Sequence, residues 1–282
     1  MSTLHAAVTG TDGTGKTTIV RRLAARYAAT PGELYAFRAP QYHEDPNLPF
    51  GRLSRAIDDL SVLGDRLGNP LLKTAALFLS MTLYGDVARF VEEAYRPRVL
   101  LAERQCLADS LTYARFYLPY LKAPLDRASL ESPIAQAIGP AFDEIEAWLP
   151  VFQARADVGS CSFWELPLYL RSLFEAPVER LVPRLQALYH AAIPEHVVLL
   201  SVSPEALVER LASKQGAAEA PKELHESAQV LSMFQAGLKE SCEALRAFEP
   251  RLRVTVIDTS KQTPEMTEAE VLAALAAEKA VK

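Results

Sequence analysis

Gly10-Thr11-Asp12-Gly13-Thr14-Gly15-Lys16-Thr17 decides how this chain is read, because it satisfies G-x-x-x-x-G-K-[ST] at every fixed position. The chemistry needs these residue types at this spacing. Gly10, Gly13 and Gly15 let the backbone turn tightly, so that successive N–H groups, those of Thr11, Thr14 and Thr18 among them, point at phosphate oxygens. The loop feeds a helix whose N-terminus favours the anion. Lys16 reaches the β- and γ-phosphates, and the Thr17 hydroxyl is placed as a Mg²⁺ ligand. Background residue frequencies give on the order of one chance match per hundred chains of this length, so the pattern points to ATP bound as a phosphoryl donor. Rival loops do not match. Gly13-x-Gly15 is followed by Lys16, Thr17 and Thr18 rather than by a dinucleotide-binding x-x-Gly. Asp65-Arg66-Leu67-Gly68 matches a GTPase D-x-x-G only by letters, in what reads as a loop, and N-K-x-D is missing. Asp12 is unusual, since a carboxylate inside an anion-binding loop repels phosphates and is expected to face away from them. Its target is an acceptor hydroxyl or water around Mg²⁺; the alternative is an Asp that shapes the loop through backbone N–H groups.

Outward from the loop, strands and helices alternate, which predicts an α/β fold with a parallel sheet covered on both faces. A strand over Leu4–Thr9 enters the loop and a helix leaves it, from about Lys16 to Ala29. A strand over Leu34–Phe37 follows, then a helix over Phe50–Leu63 and one long helix over Leu71–Ala94. Val99-Leu100-Leu101-Ala102 reads as a buried strand and Leu107–Tyr117 as a helix. In the proline-dense stretch that follows, 133–148, 164–174 and 178–192 look helical. Strands at Val197–Val202 and Arg253–Ile257, with helices from Pro204, from about 224 and from Pro264, complete the chain. The organisation expected is a core of 1–118 and 194–282 with a helical insertion at 119–193.

The 282 residues, 49% hydrophobic and 23% charged, suit one large domain or a core carrying an insertion. A net charge of −5, with no run of Lys or Arg longer than a pair, argues against nucleic acid as a partner. Cys106, Cys161 and Cys242 are far apart and have no metal-ligand spacing. The functional loop begins by residue 10, so no signal peptide is expected, and the longest apolar stretch, Ala75–Tyr84, reads as too short to span a bilayer. A cytoplasmic protein without a membrane partner is the expectation.

Further candidates come from position. Glu103 and Arg104 follow a buried strand run, at the carboxyl edge where open α/β sheets bind ligands. An acid there holds Mg²⁺ or orients an attacking hydroxyl, and Arg104 clamps phosphate oxygens. Arg38 ends the second strand on the same edge and is a candidate for an acceptor phosphate. Phe78 in Leu77-Phe78-Leu79 is a base-stacking candidate or an ordinary core aromatic. Arg210, Lys214 and Lys222 flank a small-residue segment, about 213–225, that reads as a lid over phosphates. Solvated surface charge is the bland alternative for all of these cations.

Taken together, these elements resemble the thymidylate kinases among the P-loop nucleoside and nucleotide kinases. Thr9–Thr18 resembles that family's phosphate loop, internal Asp included. Phe37-Arg38-Ala39-Pro40 with Gly51-Arg52-Leu53 resembles its second motif, whose Arg contacts the acceptor phosphate. Ala76-Leu77-Phe78-Leu79-Ser80 resembles the helix whose Phe packs on the acceptor base. Leu101-Ala102-Glu103-Arg104 with Asp109-Ser110-Leu111-Thr112-Tyr113 resembles its Asp-Arg-Tyr element, and Val256-Ile257-Asp258-Thr259-Ser260 its adenine-side loop. The resemblance covers roughly 4–118 and 194–282. It implies a five-stranded parallel sheet flanked by helices, Mg²⁺ with ATP as phosphoryl donor, and a nucleoside monophosphate or similar small molecule as acceptor. Its catalytic set is Asp12, Lys16, Glu103 and Arg104, with Thr17 and Glu103 at the metal and Arg38 and Phe78 at the acceptor. A homodimer is compatible with it.

Several positions depart from the family. Glu103 stands for Asp and Gln105 for Tyr, and Glu103-Arg104 with Asp109 also resembles the Glu-Arg-Ser element of deoxynucleoside kinases. Thr82 stands where thymidylate kinases carry an Arg beside the base. Thr82, Gln105 and the segment 119–193 together predict that thymidine monophosphate is a poor substrate. Two alternatives stay open: a deoxynucleoside kinase with Glu103 or Asp12 as general base, and a nucleotide-binding ATPase-type interaction module with no small-molecule acceptor.

Overall fold

Val99-Leu100-Leu101-Ala102 and Val197-Val198-Leu199-Leu200 are apolar at consecutive positions, the pattern of strands buried on both faces. Both runs lie inside a parallel sheet. The computed structural model describes residues 3–156, 159–215 and 228–277, the side chains of 211–215 and 228 excepted. Among these residues β1 (Leu4–Thr9), β2 (Leu34–Arg38), β3 (Val99–Glu103), β4 (His196–Ser201) and β5 (Arg253–Asp258) pair in parallel in the order β2-β3-β1-β4-β5. This is the five-stranded parallel α/β sheet flanked by helices that the sequence predicts. The register sets Glu103 opposite both Val8 and Arg38, so the carboxyl ends of the first three strands meet at one edge.

Alternate residues of each strand feed two cores. Ala6, Val8, Leu34, Ala36, Val99, Leu101, Val198 and Leu200 join α1 (Lys16–Tyr27) and the last helix of the chain on one face. Tyr35, Phe37, Leu100, Ala102 and Val197 face the larger core. That core receives α2 (Gly51–Arg66), α3 (Pro70–Met81), α4 (Tyr84–Tyr95) and α5 (Cys106–Tyr117). The segment 119–193 carries α6 (Arg127–Ile138), α7 (Phe142–Gln153), α8 (Leu166–Phe174) and α9 (Val178–Tyr189), and its Phe152, Phe163, Leu170 and Leu185 join the same cluster. The helices α10 (Pro204–Gln215), α11 (Ala228–Phe248) and α12 (Pro264–Ala276) follow.

The single long helix expected at 71–94 is two helices, broken at Thr82 and Leu83. Asn69 starts the first by accepting from the Leu72 N–H at 3.0 Å, with Pro70 at its first turn. At the break, the Thr82 carbonyl accepts from Arg155 at 3.3 Å instead of continuing the ladder, and the Thr82 hydroxyl accepts from the Trp148 indole at 2.7 Å. By length and composition alone Pro70–Tyr95, 26 residues, could cross a membrane, a longer stretch than the Ala75–Tyr84 run read from sequence. Its most apolar window is 83% buried within the fold, as in a core helix. Asp65, expected in a loop, lies in the last turn of α2. There α2 and α3 approach so closely that a Cβ on Gly64 would lie 2.8 Å from the Lys73 backbone nitrogen.

Candidate active site

The phosphate loop spans the turn between β1 and α1, with Gly13 and Gly15 in left-handed conformations at φ 85° and 91°. Gly10 is needed for space: a Cβ there would lie 2.6 Å from the Leu200 carbonyl oxygen. Inside the loop the Thr11 carbonyl accepts from Thr14 N–H at 3.3 Å, Thr14 Oγ1 at 2.8 Å and Lys16 Nζ at 3.4 Å. From outside, Arg210 Nη1 donates to the Gly13 carbonyl at 2.9 Å, and Thr259 Oγ1 to the Thr14 carbonyl at 3.2 Å. Arg210 is thus tied to the loop backbone and to Thr259 rather than standing free as a lid cation. The stretch expected as a lid, about 213–225 with Lys214 and Lys222, falls outside the described residues apart from the helical backbone of 213–215.

Two linked charge networks sit where β1, β2 and β3 end. In the first, Thr17 Oγ1 donates to Glu103 Oε1 at 2.6 Å, and Arg38 Nε donates to Glu103 Oε2 at 2.9 Å. Arg38 also pairs with Glu44 and reaches Gln41 at 3.4 Å. Burial opposes the Arg38 charge, but Glu44 and Glu103 outweigh it and raise its pKa. Burial likewise works against the Glu44 carboxylate, yet Arg38 and Arg21 hold its pKa below the usual range.

In the second network, Asp12 Oδ1 accepts from Lys16 Nζ at 2.6 Å and from Arg104 Nη2 at 3.2 Å. Asp12 therefore lies between the loop lysine and Arg104. Arg104, with φ 69°, also reaches Asp109 at 3.5 Å and the Tyr113 hydroxyl at 3.4 Å. Burial disfavours its charge, and Tyr113 with the carboxylates of Asp12, Asp109 and Glu103 more than compensates. Asp109 is fully buried and accepts from Thr9 Oγ1 at 3.0 Å. Burial raises its pKa, with Arg104, Thr9 and Lys16 pulling the other way.

The oxygen donors Thr17 and Glu103 suit Mg²⁺, a hard cation commonly held by one or two protein oxygens and otherwise by phosphates and water. Among the described residues no cluster of three or more His, Cys, Asp or Glu could hold a metal ion.

Beside the networks lies a cavity of about 330 Å³ walled by α2, α3 and the ends of α8 and α9. Arg38 and Arg104 stand at its wall, as does Phe78. The Phe78 ring is both pocket wall and core, edge-on to Phe152 at 5.8 Å and tilted against Tyr189 at 5.7 Å. Phe174 and Tyr189 bring the segment 119–193 into the same wall. Thr82 and Gln105, read from sequence as acceptor-side positions, are not in it. Thr82 is fully buried against Trp148, and Gln105 caps α5 by accepting from Ala108 N–H at 2.7 Å. Neither lines the cavity, which corrects their placement beside the acceptor, and Thr82 supplies no cation there.

Sequence reading missed two features. Thr259, read from sequence only as part of an adenine-side loop, also clamps the phosphate loop at the Thr14 carbonyl. Lys73 and Asp65 form an ion pair in the cavity wall, each 5% exposed. One cue pointed to it: Lys73 is the sole charge in the apolar run Pro70–Met81, and a charge there needs a partner.

Compared with known protein families the chain matches none, and compared with curated proteins it matches none either. Among solved structures it is similar to the thymidylate kinase from Candida albicans, at 14% identity and a TM-score of 0.46, over 99% of this chain and 93% of that one.

Proposed function

We propose that this chain is a nucleotide kinase, transferring the γ-phosphoryl group of ATP to a nucleoside monophosphate. One observation carries the reading: Arg38 and Arg104 stand together where the phosphate loop's charge networks meet an aromatic-walled cavity. A cavity of about 330 Å³ beside a donor loop suits a small acceptor, and two guanidiniums in its wall suit one that carries a phosphate.

The loop N–H groups and Lys16 hold the donor's β- and γ-phosphates, Lys16 leaving Asp12 for them as they arrive. Thr17 and Glu103 would hold Mg²⁺, which would supply charge neutralisation at those oxygens when bound. Arg38 orients the acceptor phosphate, and Arg104 offsets charge on the group in flight. An acceptor phosphate oxygen forms the new bond to the γ-phosphorus as the bond to the β-phosphate oxygen breaks. An ionised phosphate acceptor has no proton to lose, so positioning and electrostatics carry the rate. Glu103 has one oxygen on Thr17 and the other on Arg38, an arrangement for orienting rather than for taking a proton.

Incubation with ATP, Mg²⁺ and a panel of nucleosides and nucleoside monophosphates tests this. A diphosphate product supports it. Phosphorylation of nucleosides alone indicates a nucleoside kinase, and acceptor-independent release of phosphate indicates an ATPase-type module.

A further inference from the structure

Lys73 and Asp65 pair across the contact of α3 with α2, where the missing side chain of Gly64 brings the two backbones together. An ion pair that merely stitched two helices would be walled off, yet both residues line the acceptor cavity along with Phe78 and Arg38. Their place in it is specific. The α2 stripe that lines the cavity runs from Ser54, which donates to the Pro40 carbonyl near Arg38, to Asp65. Eleven residues of helix span about 16 Å, so the pair lies at the end away from the phosphate-binding arginine. On α3, Lys73 precedes Phe78 by five residues, or about 7.5 Å.

The chemistry of that end follows. The pair is neutral overall, so it suits an uncharged polar edge better than a second anion. An ammonium has three N–H donors, and Asp65 is the one hydrogen-bond partner of the Lys73 ammonium among the described residues. The Lys73 side chain thus has donor capacity beyond Asp65 while facing a cavity, which favours an acceptor edge that presents oxygen.

On the kinase reading above, we propose that Lys73, held in place by Asp65, is a specificity-determining residue that donates to a ring carbonyl of the acceptor. The site then selects heterocycles with an oxo group at that edge over counterparts with an amino group. An amino group there sets donor against donor beside a buried ammonium, the mismatch that a site built for hydrogen bonding rejects.

Two matched pairs isolate the group: inosine against adenosine monophosphate, and uridine against cytidine monophosphate. The oxo member of each is expected to have the higher kcat/KM by roughly tenfold or more, chiefly through KM. Calorimetric binding of the same four monophosphates is expected to give the same order. The double variant Lys73→Met/Asp65→Asn removes both charges and so leaves neither buried alone. In it the oxo preference is expected to fall toward parity, with MgATP binding unchanged. Equal use of both members by the wild type overturns the proposal, as does a preference that survives in the double variant; in either case the kinase reading stands. If the double variant does not fold, the wild-type ratios decide. Failure to bind or turn over any monophosphate while MgATP still binds overturns the kinase reading itself, and the proposal with it.

Discussion

Thr17 and Glu103, 86 residues apart in sequence, are joined by a 2.6 Å hydrogen bond between the first turn of α1 and the end of β3. That contact sets the candidate metal ligand against the carboxylate that also anchors Arg38. Glu103→Gln can keep its amide oxygen on Arg38 and donate its NH₂ to the Thr17 hydroxyl, so the change removes the carboxylate's charge at Arg38 and at the candidate metal position rather than the contacts. Turnover is expected to fall by roughly 10²–10³-fold, with a higher Mg²⁺ concentration needed for half-maximal rate. Steady-state kinetics across a Mg²⁺ titration check this, and near-normal turnover would remove Glu103 from the site.

Arg38→Met keeps much of the side chain's length and removes its charge. Loss of a charged hydrogen bond to the acceptor phosphate, about 1.5–3 kcal/mol, lowers kcat/KM for the monophosphate by roughly 10–100-fold. The KM for ATP is expected to change little. An equal loss on both substrates would show that Arg38 acts only by supporting Glu103.

Gly85 lies in the first turn of α4 under the end of α9, and a Cβ there would sit 1.9 Å from the His190 carbonyl oxygen. Gly85→Ala must displace one helix from the other, at a cost of about 1–3 kcal/mol. A drop of several degrees in the thermal midpoint is expected, and an unchanged midpoint would contradict this packing.

His196 is buried on β4, with Nε2 2.9 Å from Thr255 Oγ1. Burial first, and Arg253 second, lower its pKa from 6.5 to about 4. Between these values the unfolded chain binds the proton and the native one does not. Stability is therefore full above pH 6.5 and declines as the pH falls toward 4, by on the order of 1–3 kcal/mol. His196→Gln lacks this component. Its thermal midpoint is expected to fall less than the wild type's between about pH 7 and about pH 4.5; parallel curves would contradict the assignment.

The legible parts of this chain are those set by local rules. The phosphate loop needs glycine geometry and a lysine at fixed spacing, and the strands at Val99 and Val197 announce themselves by apolar runs between turns. Glu103 and Arg38 could be placed because a strand's end is readable and the ligand edge of a parallel sheet is known. What sequence left obscure depends on tertiary partners. The break at Thr82 follows from Arg155 and Trp148, which lie some 70 residues downstream. For the same reason Thr82, placed beside a base by resemblance, faces the segment 119–193 instead. That Lys73 needs a partner is legible, but that the partner is Asp65 depends on how closely α2 approaches α3 at Gly64.

The central claim is that the loop around Lys16 delivers the γ-phosphoryl group to a monophosphate acceptor beside Arg38. The most direct measurement follows labelled γ-phosphate from ATP into product, for the wild type and Lys16→Ala, across a panel of nucleoside monophosphates. The wild type is expected to label at least one monophosphate, consuming ATP only when it is present. Lys16→Ala, folded as judged by circular dichroism, is expected to lose roughly 10²-fold or more of that rate. Label released only as inorganic phosphate, or a Lys16→Ala rate near the wild type's, would contradict the account.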